Sequence, residues 1–306
     1  MGPIKDIKDA TVVVTGASSG FGRGAALKLA ELGANVVLAA RRTEALDELA
    51  AQINANGGRA LAVTADVSKV DDVQRLGLAA VAEFGGFDVW VNNAGIGVLG
   101  LFWDVPLEDY ERLIDVNLKG VVYGAQVAIN QFRAQGYGTL LNVGSIDSEV
   151  PLAYQTVYAS TKQATLSISR SLNAELKLAG YDAIKVGTIM PWAVDTPWWT
   201  HAANYTGHAP RMAAMDDPEI VVDAIVDACI NPKEEQPVGW KAHSSNISHR
   251  VFANFSEFLT AKLADHSVSK AMPAKPTTGA IYEPMTTTVS IDGGIRERMQ
   301  REDKAD

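Results

Sequence analysis

The chain has 306 residues, 47% of them hydrophobic, with a formal net charge of −9 and one cysteine. That is enough apolar material for one full α/β core, while an acidic balance with no lysine or arginine stripe argues against nucleic acid as a partner. An internal disulfide is excluded, no apolar run approaches the roughly 18–20 residues of a bilayer span, and none of the five histidines (His201, His208, His243, His249, His266) stands at metal-ligand spacing; neither a membrane span nor a catalytic metal is expected.

Before the first strand, Lys5, Asp6, Lys8 and Asp9 leave no apolar stretch of signal-peptide type, so a cytoplasmic location is expected. Residues 11–14, all β-branched, read as a buried strand that runs directly into Thr15-Gly16-Ala17-Ser18-Ser19-Gly20-Phe21-Gly22. Apolar residues at helical spacing follow from Gly24 to Leu32, and Gly33 stops the helix. A glycine-rich turn at this junction lets the backbone approach a diphosphate, whose charge the first-turn amides and helix dipole hold. Further strands are predicted over 35–39, 60–64, 88–92, 139–143, 183–189 and 237–240, separated by helix-like stretches. Such alternation predicts a single doubly wound parallel sheet flanked by helices, with the motif-bearing strand ends along one edge. Ser68 reads as a helix cap after the turn residue Asp66, and Asp217-Pro218-Glu219 as the start of a helix that buries Cys229.

Chemistry concentrates near the middle of the chain. Tyr158 and Lys162 share one helical face, downstream of Asn142-Val143-Gly144-Ser145. A phenol that exchanges a proton near neutral pH needs its pKa lowered from about 10 to about 7, roughly 4 kcal/mol of preferential phenolate stabilisation. Desolvation works against this, so a nearby cation is required and Lys162 is placed to supply one. Ser145, at a strand end, can donate a hydrogen bond to a carbonyl oxygen.

With these motifs the chain resembles the short-chain dehydrogenase/reductase family over residues 10–240. The family's Thr-Gly-x-x-x-Gly-x-Gly turn matches Thr15 to Gly22, its Asn-Asn-Ala-Gly matches Asn92-Asn93-Ala94-Gly95, and its Ser and Tyr-x-x-x-Lys match Ser145, Tyr158 and Lys162. The resemblance implies a Rossmann-type domain over 1–245 that carries both cofactor and substrate sites. It also implies a nicotinamide cofactor held by Gly16, Ser18, Ser19, Gly20, Phe21, Gly22, Asp66, Val67, Asn93, Ala94, Gly95, Tyr158, Lys162, Pro191, Val194 and Thr196. Asn117 is implied to support a water-linked proton path to Lys162, and the assembly to be a homo-oligomer, dimer or tetramer.

In this family an acid at the end of the second strand usually accepts the adenosine ribose hydroxyls of NAD. Ala40 stands there instead, followed by Arg41 and Arg42, whose guanidinium groups suit a 2′-phosphate; NADP(H) is expected. The family's Pro-Gly-x-Val-x-Thr reads Pro191-Trp192-Ala193-Val194-Asp195-Thr196, so Trp192 is expected to crowd the substrate pocket. Trp198 and Trp199 are further substrate-side candidates, as is Tyr154 on the helical face of Tyr158, and an apolar or aromatic ketone or aldehyde is the expected substrate. A 3-oxoacyl-thioester or hydroxysteroid reductase is the enzymatic alternative, and an NADP-binding regulator or scaffold the nonenzymatic one. His201 and His208 read as part of a mobile loop near the site mouth.

The extension, 246–306, is expected not to be an independent domain. Val251, Phe252, Phe255, Phe258, Leu259 and Leu263 recur at helical spacing and predict an apolar stripe packed on the domain or a second subunit. From Ala271 onward, Pro273, Pro276, Thr277 and Thr278 predict an extended arm ending in a disordered charged tail.

Overall fold

The computed structural model describes residues 5–251 and 253–305. Its strands are β1 (Thr11–Thr15), β2 (Asn35–Ala40), β3 (Arg59–Thr64), β4 (Val89–Asn92), β5 (Val98–Leu99), β6 (Gly138–Val143), β7 (Ile184–Pro191), β8 (Ala203–Asn204) and β9 (Glu235–Val238). Seven of them form one sheet in the order β3-β2-β1-β4-β6-β7-β9, with every pairing parallel. Strands β5 and β8 pair separately.

Period-two alternation divides the sheet's side chains between two cores. Val12, Val14, Val36 and Leu38 face the helices Gly20–Glu31, Thr43–Ala55 and Glu219–Ile230, where Leu29, Leu46, Leu49 and Ile225 are fully buried. Val13, Val37, Trp90 and Leu140 face the helices Val70–Phe84, Gly120–Gln135 and Thr156–Leu178 through Leu76, Ala128 and Phe132. Each buried leucine or phenylalanine contributes about 1.5–3 kcal/mol. The strand order reverses between β1 and β4, which opens a crevice at the carboxyl ends of these strands.

Local signals held in part. Pro218, not Asp217, is the N-cap of the helix Glu219–Ile230, and Asp217 just before it accepts the Glu219 amide at 3.0 Å. Ser68 is not the cap of the helix Val70–Phe84; Lys69 takes that position, and Ser68 turns back to donate to Asp66. The last strand lies two residues earlier than expected, because Gly239 at φ +80° turns the chain into the helix Gly239–Val251 and leaves Trp240 exposed. Tyr154 precedes the helix Thr156–Leu178 and has φ +66°, so it does not share the helical face of Tyr158.

The extension departs most from its sequence pattern. The helix Ala253–Lys270 buries Thr260, Ala264 and Ser267, small residues that permit close approach, while Phe258 and Leu259 are exposed. Phe252 and the side chains of Val251 and Phe255 lie outside the described residues. The arm is tied down by bridges from Asn204 to Thr277 and from His208 to Pro273, so His208 lies in a bridged segment rather than in a free loop. The charged tail is a docked helix, Ile295–Ala305. The buried Asp195 carboxylate accepts its first amides, Ile295 and Arg296, both at 2.8 Å, and Ile295 and Met299 pack beside Trp199. Among the described residues no helix is long and apolar enough to cross a membrane.

Candidate active site

The turn after β1 is built by close backbone approach. Gly16 has φ +70°, and a Cβ on Gly22 would stand 2.4 Å from the Gly16 carbonyl oxygen, so only glycine fits at either place. The segment after β4 braces this turn: Asn93 Nδ2 donates to the Thr15 carbonyl at 2.8 Å, and Thr15 Oγ1 accepts the amides of Asn93 and Ala94 at 3.0 and 3.1 Å. The asparagine side chain therefore shapes the turn and presents its backbone to the cavity. Gly22 acts from beneath it.

One cavity of about 260 Å³ runs from this turn to the ends of β6 and β7. Every residue that the sequence assigns to a site lines it, except Gly22, Asn117 and Tyr154. Asn117 is buried in a single π-turn, Asp115–Lys119, an irregularity common at functional sites. Its amide brackets Ile96, accepting from the backbone N–H at 2.9 Å and donating to the carbonyl at 3.0 Å, so it fixes the loop after β4 and does not bond Lys162. Tyr154 donates its phenol proton to Asp265 at 2.7 Å and faces a separate small cavity. It is not a wall of the main pocket.

At the centre, Lys162 Nζ donates to the Val143 carbonyl at 2.8 Å and lies 5.6 Å from the Tyr158 ring centroid. Burial pushes the Tyr158 phenol well above its ordinary range, the charge of Asp147 adds to this, and Ser145 pulls it back. Burial lowers the Lys162 ammonium to about 8, against the pull of Asp147. The Val143 carbonyl engages the ammonium, and the charge of Asp147 acts on both Lys162 and Tyr158. Ser145 Oγ accepts the Asp147 amide at 3.1 Å and caps the short turn Ile146–Ser148.

At the other end, positive charge gathers. Arg42 donates to Ser18 Oγ at 3.1 and 3.0 Å, to Ser19 Oγ at 2.6 Å and to the Met285 carbonyl at 3.1 Å. Arg41 donates to the carbonyls of Ala280, Ile281 and Tyr282. Both guanidinium pKa values are lowered, first by burial and then by neighbouring arginines, Arg112 for Arg41 and Arg41 with Arg23 for Arg42. The Asp66 carboxyl is driven up by burial, but hydrogen bonds from Ser68 and Arg112 outweigh this and its net shift is down. The arm thus passes over this end of the cavity, and the Ser290 carbonyl accepts one of the turn amides, that of Gly20, at 2.9 Å.

The three tryptophans have different jobs. Trp198 packs against Tyr158 with ring centroids 5.1 Å apart, in space that Gly97 leaves, since a Cβ there would stand 2.3 Å from the indole. Trp199 is buried, donates to the Val194 carbonyl at 2.8 Å and holds Trp198 edge-on. Trp192 lines the pocket and packs against Ile146, Val150 and Ala242. His201, expected in a mobile loop, closes the short helix Trp198–His201 and contacts Thr288 of the arm at 2.7 Å; burial first and then Arg42 lower its pKa to about 4. Sequence reasoning missed Arg112, Asp147 and Gln155, of which Asp147 carries a readable signal as an acid two residues past Ser145 at a strand end.

This glycine turn, crevice and Ser-Tyr-Lys cluster agree with a family model described as short chain dehydrogenase, which matches residues 10–205. The chain is 37% identical over 276 residues to the Bacillus subtilis (strain 168) protein named uncharacterized oxidoreductase YxnA, covering 89% of this chain and 77% of that one. Among solved structures, a 3-ketoacyl-(acyl-carrier-protein) reductase from Brucella melitensis, complexed with NADH, superposes with a TM-score of 0.69 at 30% identity over 78% of this chain and 100% of that one. A short chain dehydrogenase/reductase from Burkholderia phymatum in complex with NAD shares the fold, with a TM-score of 0.72 at 23% identity over 90% and 99% of the two chains. The chain belongs to the short-chain dehydrogenase family and is an oxidoreductase that uses a nicotinamide cofactor.

Proposed function

We propose that this protein is an NADP(H)-dependent reductase of ketones or aldehydes with apolar or aromatic substituents, reversible as a secondary alcohol dehydrogenase. The observation that carries this reading is the meeting of Ser145, Tyr158 and Lys162 in one cavity that Trp192 and Trp198 also line. Bound nicotinamide supplies the hydride acceptor or donor. Burial keeps the Tyr158 phenol protonated, the form that reduction needs, and the phenol gives its proton to the carbonyl oxygen as charge builds there. Ser145 orients that oxygen by a second hydrogen bond. The Lys162 ammonium lowers the cost of the phenolate left behind. Val194 and Thr196, which line the cavity, would hold the carboxamide edge, and Asn117 keeps the loop at Ile96 in register.

The arginine cluster fits a 2′-phosphate. The Arg41 and Arg42 pKa values are lowered by burial and then by neighbouring arginines, and Arg23 Nη1 is buried with no hydrogen-bond partner among the described residues, so an anion there relieves a real electrostatic cost. Ala40 places no carboxylate against it. Solved neighbours carry NAD and NADH, which makes cofactor choice the first thing to measure. The Brucella melitensis neighbour favours a 3-oxoacyl thioester as the second reading. A screen of NADPH and NADH oxidation across aryl ketones, aliphatic aldehydes, steroids, sugars and acetoacetyl thioesters decides between them. NADPH-dependent turnover of an aryl ketone is the expected result, and turnover confined to the thioester overturns it.

A further inference from the structure

The wall beside Ser145 contains a carboxyl group that the fold does not use. Asp147 is 5% exposed and lines the cavity, yet its carboxylate takes no hydrogen bond from any described residue; only its backbone amide is engaged, by Ser145 Oγ. Lys162, whose charge acts on it, gives its own hydrogen bond to the Val143 carbonyl. Gln155, 7% exposed and three residues before Tyr158, lines the same cavity, and its side-chain amide is likewise without a hydrogen bond among the described residues. The polar atoms of both side chains open onto the cavity, and desolvation raises the Asp147 carboxyl to about 7. An apolar side chain at 147 would spare that desolvation, so neither packing nor capping explains an acid here.

We propose that Asp147 is a substrate-recognition residue that accepts a hydrogen bond from a hydroxyl on the carbon next to the reacting carbonyl, with the Gln155 amide completing the hydroxyl's shell. The substrate class is then a hydroxyketone, or in the reverse direction a vicinal diol, with an apolar or aromatic remainder against Trp192 and Trp198. The inference rests on the carbonyl-reductase reading and narrows it. A carboxylate acceptor and an amide donor together match a hydroxyl, which both gives and receives a hydrogen bond. Discrimination follows from the same physics, since a substrate without the donor leaves a desolvated acceptor unpaired.

The test uses acetophenone, 2-hydroxyacetophenone and 2-methoxyacetophenone with the full-length protein and NADPH. The methoxy compound keeps the oxygen and its electron withdrawal but has no proton to donate. Wild type is expected to favour the hydroxyketone over the methoxyketone at least tenfold in kcat/KM, and Asp147→Leu to bring that ratio within about twofold, with Asp147→Asn intermediate. The ratio cancels any effect of Asp147 on Tyr158, and enhancement of NADPH fluorescence checks that each variant is folded. Equal use of the two ketones by wild type, or a ratio that survives Asp147→Leu, overturns the inference while leaving the carbonyl-reductase reading intact. If wild type reduces no carbonyl with either cofactor, that reading fails and this inference with it.

Discussion

Replacing Arg42 with alanine isolates the phosphate contact from the rest of cofactor binding. The guanidinium stands between Ser18 and Ser19 of the glycine turn and has one bond to the arm, at Met285. A charge-assisted hydrogen bond to a 2′-phosphate is worth about 1.5–3 kcal/mol, which is roughly a 10- to 150-fold loss in kcat/KM for NADPH. NADH has no group there and should change by less than about threefold on the same argument. The loss is expected to be larger at low salt, where exposed charges are less screened. Arg41→Ala is the comparison: it also removes bonds to three arm carbonyls, so its thermal midpoint should fall further than that of Arg42→Ala. Steady-state kinetics with both cofactors and thermal unfolding read the two effects apart. An equal loss for NADPH and NADH in Arg42→Ala would show that the arginine only braces the turn.

Three further outcomes follow from single contacts. Gly97→Ala sets a methyl where the Trp198 indole now lies, so Trp198 must leave Tyr158; at least a tenfold loss in kcat is expected with little change in NADPH binding. Asp195→Ala strips two amides of the terminal helix of their acceptor, and a loss of about 1–3 kcal/mol in urea unfolding is expected. The raised Asp147 carboxyl adds stability that is complete below the unfolded-state pKa near 4 and disappears as pH rises through about 7; Asp147→Asn should therefore match wild type near pH 4 and exceed it by about 2–4 kcal/mol at pH 8.

The parallel sheet was legible because its central strands are buried along their length and alternate with amphipathic helices, a pattern that fixes layers before any contact is known. The pocket was legible because its motifs sit at strand ends, which a doubly wound topology gathers on one edge. The extension was not. Its inward face is Thr260, Ala264 and Ser267, residues of little hydrophobic signal, and the terminal helix is held by a distant carboxylate, Asp195, that no local window connects to it. Tyr154 was misread because a left-handed residue starts its helix two positions later than the spacing suggested. Asn93 was read as holding the cofactor and Asn117 as supporting a proton path to Lys162; both side-chain amides engage backbone, a matter of side-chain direction that leaves no mark on spacing.

The central claim is that Tyr158 transfers the proton in an NADPH-dependent carbonyl reduction. Tyr158→Phe deletes one hydroxyl and little packing volume, so NADPH binding, read by fluorescence titration, should stay within a few-fold of wild type. Turnover of the preferred ketone should fall by about a hundredfold or more. Residual kcat above a tenth of wild type, with cofactor still bound, would contradict the account.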